Sequence, residues 1–249
     1  MANLHLLGTG ASLSGPGRAT TMLAAESGGS IVLVDCGSDP IERLITGGLD
    51  PRAIDLLVLT HAHPDHICGF PLLMQKLWLA GRSQPLDVLG PGDALDTARR
   101  LFEVFDTSGW EGMPEVRWRR VEEGEEGLAW VGEHWRVATA AAHHGKRPTI
   151  AVRLQPASGE TAVAYSADTE YSEAVVKLAR QARILVHEAT GQFPGHSTAA
   201  DAARAAAAAH VGRLILVHLP PHPDPADLEQ ARSIFPALAE GEDGASHVF

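Results

Sequence analysis

Short apolar runs alternate along this chain with stretches that carry a single apolar face. Residues 4–8, 20–25 and 31–35 are apolar runs bounded by turns rich in Gly and Ser, a pattern that predicts strands. The continuous apolar run at residues 54–60 predicts a strand that is covered on both faces. Further strands are predicted at residues 86–89, 135–142, 149–154, 160–166, 184–187 and 214–218, the last of which is expected to be the final strand.

Amphipathic or alanine-rich stretches predict the helices, at residues 70–80, 94–105, 172–182 and 199–209, with a short helix at 39–45. Residues 107–132 are polar and acidic, and they predict a surface connection with one or two strands. Each half of the chain therefore supplies strands and outer helices, which favours an α/β fold of two sheets packed face to face. A length of 249 residues allows one domain over residues 1–249.

Composition narrows the class of protein. The hydrophobic content of 45% is typical of a folded globular protein, and no apolar run reaches the roughly 20 residues of a membrane span. The N-terminal residues lack the pattern of a secretion signal, so we expect a cytoplasmic protein without a membrane partner. Cys36 and Cys68 are too few for a disulfide framework, and both are predicted to be buried free thiols.

The charge balance bears on partners. A net charge of −11 argues against a broad basic surface for nucleic acid, so RNA is a possible but not favoured partner. The same excess of carboxylates leaves room for divalent cations. Basic residues do cluster at 117–120, where Trp118 could stack on a base, although a charged strand face explains the cluster better.

A histidine-rich segment follows the strand at 54–60 directly. Its ionisable residues are His61, His63, Asp65 and His66. Alternation along the chain sends His61 and His63 to one side, and Pro64 then turns the chain so that Asp65 and His66 can face a second ion. Imidazole nitrogens together with a carboxylate are ligands that suit zinc and related ions.

Matching donors stand at the ends of other predicted strands. Of the adjoining His143 and His144 only one can point inward, and counting from Val137 favours His144. Asp168 follows an apolar strand, where a carboxylate can bridge two cations through its two oxygens, and His218 ends the strand at 214–218. These strand ends converge if the sheets pack face to face. The pattern predicts two metal ions, which together generate hydroxide from water and stabilise opposite oxygens in a displacement reaction.

Six motifs carry a resemblance to a known family: THAHPDH, HHG, YSADT, LVHEAT, GHST and LVHL. With them, the chain resembles the metallo-β-lactamase superfamily, and LVHEAT followed by GHST is similar to its ribonuclease Z branch. The resemblance extends from LHLLGTGAS to LILVHLPP, most of the chain. It implies an αβ/βα four-layer sandwich and a homodimer.

The resemblance also implies roles for individual residues. Two divalent metal ions per chain are expected, with Zn²⁺ as the first choice and Mn²⁺ or Fe²⁺ as alternatives. Asp65 is also expected to orient or deprotonate the attacking water, and Glu188 with His196 to assist protonation of the leaving group. Glu188 could instead serve only as an acceptor for backbone amides, and His187 could be a core histidine or a support for the site. The implied ligands are His61, His63 and His144 for one ion, Asp65, His66 and His218 for the other, and Asp168 for both.

The interval between His144 and Asp168 bears on the substrate. Members that process tRNA typically carry a long basic arm there, whereas only 24 positions separate these residues here. We therefore expect a phosphodiesterase for small phosphodiesters, such as cyclic nucleotides or a cyclic ribose phosphate. The alternatives are tRNA 3′ processing of the ribonuclease Z type, hydrolysis of a carboxylic ester, lactone or β-lactam, and a non-catalytic metal-stabilised binding protein. The motifs GHST and HEAT disfavour ester hydrolysis.

Overall fold

The computed structural model describes residues 1–122, 124, 126–159 and 161–249. Within these residues the strands are β1 (Asn3–Gly8), β2 (Met22–Ser27), β3 (Ser30–Val34), β4 (Ile54–Val58), β5 (Leu86–Pro91), β6 (Val116–Val121), β7 (Gly127–Val131), β8 (Trp135–His144), β9 (Arg147–Pro156), β10 (Val163–Tyr165), β11 (Ile184–Glu188), β12 (Arg213–Val217), β13 (Leu238–Glu240) and β14 (Ser246–Val248). The helices are α1 (Pro40–Thr46), α2 (Pro64–Ile67), α3 (Phe70–Leu79), α4 (Gly92–Glu103), α5 (Glu173–Ala179), α6 (Ala199–Ala209) and α7 (Pro225–Ile234), with a 3₁₀ turn at Pro51–Ala53.

The strands form two mixed sheets of seven strands each, in the orders β14-β1-β2-β3-β4-β5-β6 and β13-β12-β11-β10-β9-β8-β7. In the first sheet β3, β4, β5 and β6 run parallel, and in the second β10, β11, β12 and β13 run parallel. Strands β8 and β10 both pair antiparallel with β9, so they point in the same direction. The C-terminal ends of β8, β10, β11 and β12 therefore meet at one edge of the second sheet.

The two sheets share one apolar core. Trp135 and Tyr165 of the second sheet are fully buried in it together with Leu4 and Leu56 of the first. Helices α1, α3 and α4 cover the outer face of the first sheet, and α5, α6 and α7 cover that of the second. The layers are thus helix, sheet, sheet and helix, which confirms the predicted αβ/βα sandwich. The longest helix, α4, has 12 residues, and in the described part of the chain no helix is long and apolar enough to span a bilayer.

Helix α6 lies close to the second sheet because its buried face consists of alanines. Its N-terminus carries a reciprocal cap, in which Thr198 accepts from the backbone of Asp201 and the Asp201 carboxylate accepts from Thr198. The carboxylate of Asp227 in α7 accepts from the amides of Ala199 and Ala200 at 2.7 and 3.0 Å. The cap and the contacts with Asp227 together fix the start of the helix. The buried alanines are Ala199, Ala200, Ala202, Ala203, Ala205, Ala206 and Ala209.

The prediction that residues 214–218 form the final strand was wrong, because helix α7 and strands β13 and β14 follow it. Strands β13 and β14 have three residues each, too few to show an alternating pattern. The strand predicted at 160–166 is confined to β10, and Glu160 lies outside the described residues. The acidic connection contains two strands, β6 and β7, as predicted, while Glu123 and Glu125 also lie outside the described residues.

The two cysteines are free, but only Cys36 is buried. Burial, with the nearby Asp35 carboxylate and Cys68, raises the pKa of the Cys36 thiol well above its usual value. Cys68 is exposed, so the prediction of two buried thiols was wrong for this residue. It ends the single helical turn α2, and the apolar sequence around it did not reveal that the turn directs it outward.

Candidate metal centre

The predicted donors come together where the two sheets meet. His61, His63, Asp65 and His66 follow strand β4, and His144 is the last residue of β8. Asp168 follows β10 and His218 follows β12 directly. Their nearest nitrogen and oxygen atoms fall into groups, and within each group all of these atoms lie within 4.8 Å of one another. The first group is His61, His63, His144 and Asp168, and the second is Asp65, His66 and His218.

In the first group three imidazole nitrogens converge on one point. The Nδ1 atom of His63 lies 3.1 Å from Nε2 of His61 and 3.1 Å from Nε2 of His144. Ligand nitrogens about 2.0–2.1 Å from a tetrahedral zinc ion are about 3.3 Å apart, so this spacing fits one ion. His61 and His144 are buried, which shields the converging nitrogens from water.

In the second group two imidazoles face a carboxylate. The Oδ2 atom of Asp65 lies 3.3 Å from Nε2 of His218 and 3.5 Å from Nε2 of His66. The His66 Nε2 atom is buried and has no hydrogen-bond partner among the described residues. Burying a polar nitrogen without a hydrogen-bond partner costs free energy, so a cation bound to this nitrogen fits the arrangement.

Asp168 belongs to the first group and also lies beside His66 and His218 of the second. Its Oδ2 atom lies 3.7 Å from Nε2 of His61 and 3.9 Å from Nε2 of His144 on one side. On the other side the same atom lies 3.5 Å from Nε2 of His66 and 3.4 Å from Nε2 of His218. The Oδ2 atom therefore lies close to nitrogens of both groups, and the Oδ1 atom of Asp168 is buried without a hydrogen-bond partner among the described residues.

Burial and neighbouring charges shift the pKa values of the proposed ligands toward the protonation states that bind cations. Burial lowers the pKa of His61 well below its usual value, and burial with the neighbouring His144 lowers the pKa of His63. Both imidazoles are therefore neutral, with lone pairs free for a metal. Burial alone raises the pKa of Asp168, but the imidazoles of His218, His66 and His61 outweigh it and hold this pKa well below its usual value.

The pKa of His66 reflects the excess of negative charge around the centre. Burial alone lowers the pKa of His66, but the carboxylates of Asp168 and Asp35 raise this pKa well above its usual value. In the protein without metal, a proton on His66 thus offsets part of the carboxylate charge. Positive charge at this position is favoured, which fits a divalent cation.

In each of the four buried histidines of the two groups, the ring nitrogen that points away from the centre forms a hydrogen bond. Such hydrogen bonds fix the tautomer and the ring orientation of a metal ligand. They join His61 Nδ1 to Thr60 Oγ1 at 3.1 Å, His66 Nδ1 to Asp35 Oδ2 at 2.8 Å, His144 Nδ1 to the Gly195 carbonyl at 2.7 Å and His218 Nδ1 to Thr190 Oγ1 at 2.7 Å.

Asp35 supports two of these histidines and was missed in the sequence. Its carboxylate accepts from Nδ1 of His66, and it also accepts from the amide and the hydroxyl of Thr60, at 2.8 and 2.9 Å. Thr60 in turn contacts His61. Asp35 ends the apolar run at 31–35, the same signal that pointed to Asp168. It therefore could have been found by applying one rule to both strands.

The backbone is strained at three of the strand ends that build the centre. Asp35, Ala167 and His218 adopt positive φ angles of 60°, 54° and 53°, which residues other than glycine rarely do. Close approach of loops adds a second constraint. A Cβ atom on Gly37 would stand 1.6 Å from the carbonyl oxygen of Asp65, so only glycine fits there.

Glu188, which is fully buried, and His196, which is partly exposed, form a pair beside the centre. The Oε1 atom of Glu188 lies 2.9 Å from Nδ1 of His196. The same carboxylate accepts from the backbone amides of Thr169, Thr190 and Ser197, so it holds backbone amides as well as the His196 ring. Burial alone lowers the pKa of His196, but the hydrogen bond and the charge of Glu188 raise it above its usual value. His196 also has a nitrogen within 4.8 Å of donor atoms of Asp168 and His218.

The two remaining histidines of the motifs do not join the centre. His143 is exposed, while His144 points inward, as alternation from Val137 predicted. His187 is buried next to Glu188, and its Nδ1 atom lies 2.8 Å from the Glu188 carbonyl. Because strand neighbours point to opposite faces, His187 lies on the face away from the centre and is a core histidine.

A family model described as a β-lactamase superfamily domain matches residues 31–219. The matched region contains every proposed metal ligand. The chain belongs to the metallo-β-lactamase superfamily. Ribonuclease Z from Methanothermobacter thermautotrophicus is 30% identical over 98% of the chain and 95% of its own length, and ribonuclease Z from Bradyrhizobium is 30% identical over 98% of both chains. Within the superfamily, the chain is therefore a ribonuclease Z-like metal-dependent hydrolase.

These relatives are longer than the present chain. The alignment with the Methanothermobacter protein covers 300 positions, whereas the chain has 249 residues. At least 51 residues of that ribonuclease Z therefore have no counterpart here.

Solved structures of the superfamily share the fold. A metallo-β-lactamase fold protein from Bacillus subtilis, YhfI, has a TM-score of 0.82 at 21% identity and is covered completely, as is the present chain. The short form of human tRNase Z has a TM-score of 0.80 at 23% identity, with 99% of this chain and 98% of that chain covered. A diphosphatase of the PhnP family has a TM-score of 0.78 at 20% identity over 100% and 98% of the two chains.

Support of His66 by Asp35 can be tested with Asp35→Asn. Asparagine tolerates a positive φ angle and keeps one acceptor oxygen, so the backbone should be retained. We expect zinc affinity to fall about 10- to 100-fold, the usual effect of removing a carboxylate behind a ligating histidine. Competition with a chromogenic chelator measures this affinity. Asp55→Asn, which alters an exposed carboxylate of the first sheet, is the control and should leave it unchanged. Equal affinities of Asp35→Asn and the unaltered protein would contradict the assignment.

Proposed function

We propose that this hydrolase is a phosphodiesterase that binds two divalent cations, with zinc as the preferred ion and Mn²⁺ or Fe²⁺ as alternatives. The observation that carries the proposal is the position of Asp168 Oδ2 between two groups of donors. Nitrogen donors in the first group and mixed donors in the second suit borderline-soft ions. The proposed ligands are His61, His63 and His144 for one ion, Asp65, His66 and His218 for the other, and Asp168 for both.

Two bound cations supply an activated water and polarise the phosphoryl oxygens. Asp65 is proposed to orient that water or to accept its proton. Its side chain is 10% exposed, compared with 2% for Asp168, so it is the more accessible of the two carboxylates in the centre. Asp65 thus has access to water, while Asp168 is enclosed.

His196 is proposed as the general acid that protonates the leaving alcohol. Its side chain is 18% exposed, and Glu188 behind it is fully buried. The hydrogen bond from Nδ1 to Glu188 fixes the ring and keeps the proton of a charged imidazole available near neutral pH. Glu188 is thus a positioning residue that acts through His196.

A small phosphodiester is the proposed substrate. Strand β9 begins at Arg147, three residues after His144, and β9 and β10 occupy most of the interval to Asp168. The basic cluster on β6 does not compensate for an RNA-binding arm, since Trp118 packs against Phe70 at 5.6 Å between ring centroids. Each arginine of the cluster pairs with a carboxylate: Arg117 with Glu115, Arg119 with Asp87 and Arg120 with Glu122.

tRNA 3′ processing of the ribonuclease Z type is the second candidate. It is favoured by the identity of 30% to curated ribonucleases Z over nearly the whole chain. In that case a second subunit or another surface would have to bind the RNA. The homodimer, the single domain over residues 1–249 and the cytoplasmic location stay predictions, and light scattering after size-exclusion chromatography measures the first.

Metal content tests the shared ligand. The purified protein should contain close to two divalent ions per chain, as measured by elemental analysis. Asp168→Ala should lose most of both ions, because its oxygen faces both groups of donors. Full retention of metal in this variant would remove Asp168 as the bridge.

Leaving-group dependence tests the general acid. His196→Ala should keep its metal ions but lose about 10²- to 10⁴-fold in turnover, the usual range for a general acid. The loss of turnover should be smaller for p-nitrophenyl phosphodiesters, because p-nitrophenolate needs little protonation to leave. Steady-state kinetics with p-nitrophenyl and alkyl phosphodiesters measures the difference. Equal losses for both esters, or loss of metal from the variant, would assign His196 another role.

Substrate preference tests the two candidate functions against each other. Many contacts between basic residues and phosphates are needed to bind pre-tRNA, and the chain has 20 basic against 31 acidic residues. We expect higher kcat/KM for small phosphodiesters than for pre-tRNA at physiological salt with one metal-loaded preparation. A clear preference for pre-tRNA would make ribonuclease Z activity the main function.

A further inference from the structure

A cavity of about 370 Å³ opens beside His196, on the loop between β11 and α6. Its volume lies in the range of small-molecule sites. The loop residues Phe193 and Pro194 line it, together with Glu170 and Asp201. The rings of His218 and His144 lie 5.6 and 4.7 Å from the His196 ring between centroids. His196 thus connects the metal centre to this cavity.

Phe193 is an exposed aromatic residue on a well-held backbone. It is 61% exposed, although its amide donates to the Gly191 carbonyl at 2.8 Å and its carbonyl accepts from the His196 amide at 3.0 Å. A Cβ atom on Gly191 would lie 3.8 Å from the Phe193 ring, so the ring rests near the loop itself. An aromatic ring held in this way offers a flat apolar surface at low entropic cost.

The same loop is attached to the metal centre. The Gly195 amide donates to Oε1 of Glu170 at 2.8 Å, and the Gly195 carbonyl lies 2.7 Å from Nδ1 of His144. Phe193 therefore contacts His196 through its own carbonyl and lies two residues before Gly195, which contacts Glu170 and His144. Its position relative to His196 is set by the fold and does not depend on a mobile side chain of the loop.

The charge of the cavity restricts what can occupy it. Its ionisable lining residues among those described are Glu170, Asp201 and His196, with no lysine or arginine. Asp201 caps α6 and pairs with Arg204, so Glu170 is the carboxylate that would repel a second phosphate, whereas hydroxyl and amino groups could donate to it. An uncharged aromatic group with polar substituents fits this lining.

We propose that the cavity is a nucleoside subsite and that Phe193 determines specificity by stacking on the base of the leaving nucleoside. This rests on the proposed function, since His196 as general acid places the leaving alcohol on its own side of the centre. Stacking of a base on an aromatic side chain is sequence-tolerant because every base has a flat π-face. The substrate class is a phosphodiester whose leaving nucleoside carries no further phosphate.

Kinetics of a matched substrate pair tests the stacking. The pair is 3′,5′-cyclic AMP and the 3′,5′-cyclic phosphate of methyl ribofuranoside, which lacks the base. Phe193→Ala should lower kcat/KM for cyclic AMP about 5- to 150-fold, the range for loss of one stacked base, and leave the base-free compound unchanged. Phe193→Trp should retain the preference for cyclic AMP. Phe105→Ala removes another exposed phenylalanine, at the end of α4, and should alter neither rate.

Equilibrium binding gives a readout that does not require turnover. Calorimetry of the metal-loaded protein should show that Phe193→Ala weakens binding of adenosine 5′-monophosphate but not of ribose 5-phosphate. Equal weakening of both ligands, or no weakening of either, would overturn the subsite. Absence of hydrolysis of both cyclic phosphates would overturn the proposed function instead, and the binding measurement would still decide on the subsite.

The exclusion of a second phosphate is tested with ApA and pApAp. Whichever alcohol leaves, it carries an additional phosphate only in pApAp. The protein should have a higher kcat/KM for ApA than for pApAp. Glu170→Gln should reduce this difference in kcat/KM, because glutamine keeps an acceptor for the Gly195 amide but removes the charge. Equal kcat/KM for both dinucleotides would contradict the role of the acidic lining.

Discussion

The centre depends on keeping carboxylates and imidazoles together away from water. Asp168 and His66 are buried at the junction of the sheets, and each faces several other ionisable groups. Such groups lose hydration when they are buried, and this cost has to be offset by opposite charge. In the chain without metal, the carboxylates of Asp168 and Asp35 raise the pKa of His66 well above its usual value, which favours a proton at this position. Metal binding and folding stability are therefore linked in this protein.

The fold meets this demand by building the centre from strand ends. Strands β8, β10, β11 and β12 deliver their C-terminal residues to one edge, and β4 delivers its loop from the other sheet. The positive φ angles of Asp35, Ala167 and His218 show that the backbone turns sharply where these strands end. Such strain persists because packing and hydrogen bonds hold it, for example those between Asp35 and Thr60.

Much of the fold and the centre could be predicted from sequence because strong local patterns coincide with them. Apolar runs placed most strands, and alternation from Val137 selected His144 over His143, which is exposed in the structure. Features that depend on three-dimensional geometry could not be obtained in this way. The position of Asp168 Oδ2 between the two groups and the outward direction of Cys68 are set by turns that have no sequence period. Strands β13 and β14 depend on neighbouring strands more than on their own three residues.

The alanine face of α6 couples the chemistry of the centre to packing at a distance. The helix starts three residues after His196, and its buried methyl groups set how closely it approaches the second sheet. Protein interiors are packed densely, so a longer side chain at Ala202 or Ala206 would lift the helix as a whole. The position of His196 therefore depends in part on how α6 packs against the second sheet. The alanines of α6 thus act as spacers between the second sheet and the segment that carries His196, a role separate from their helix propensity.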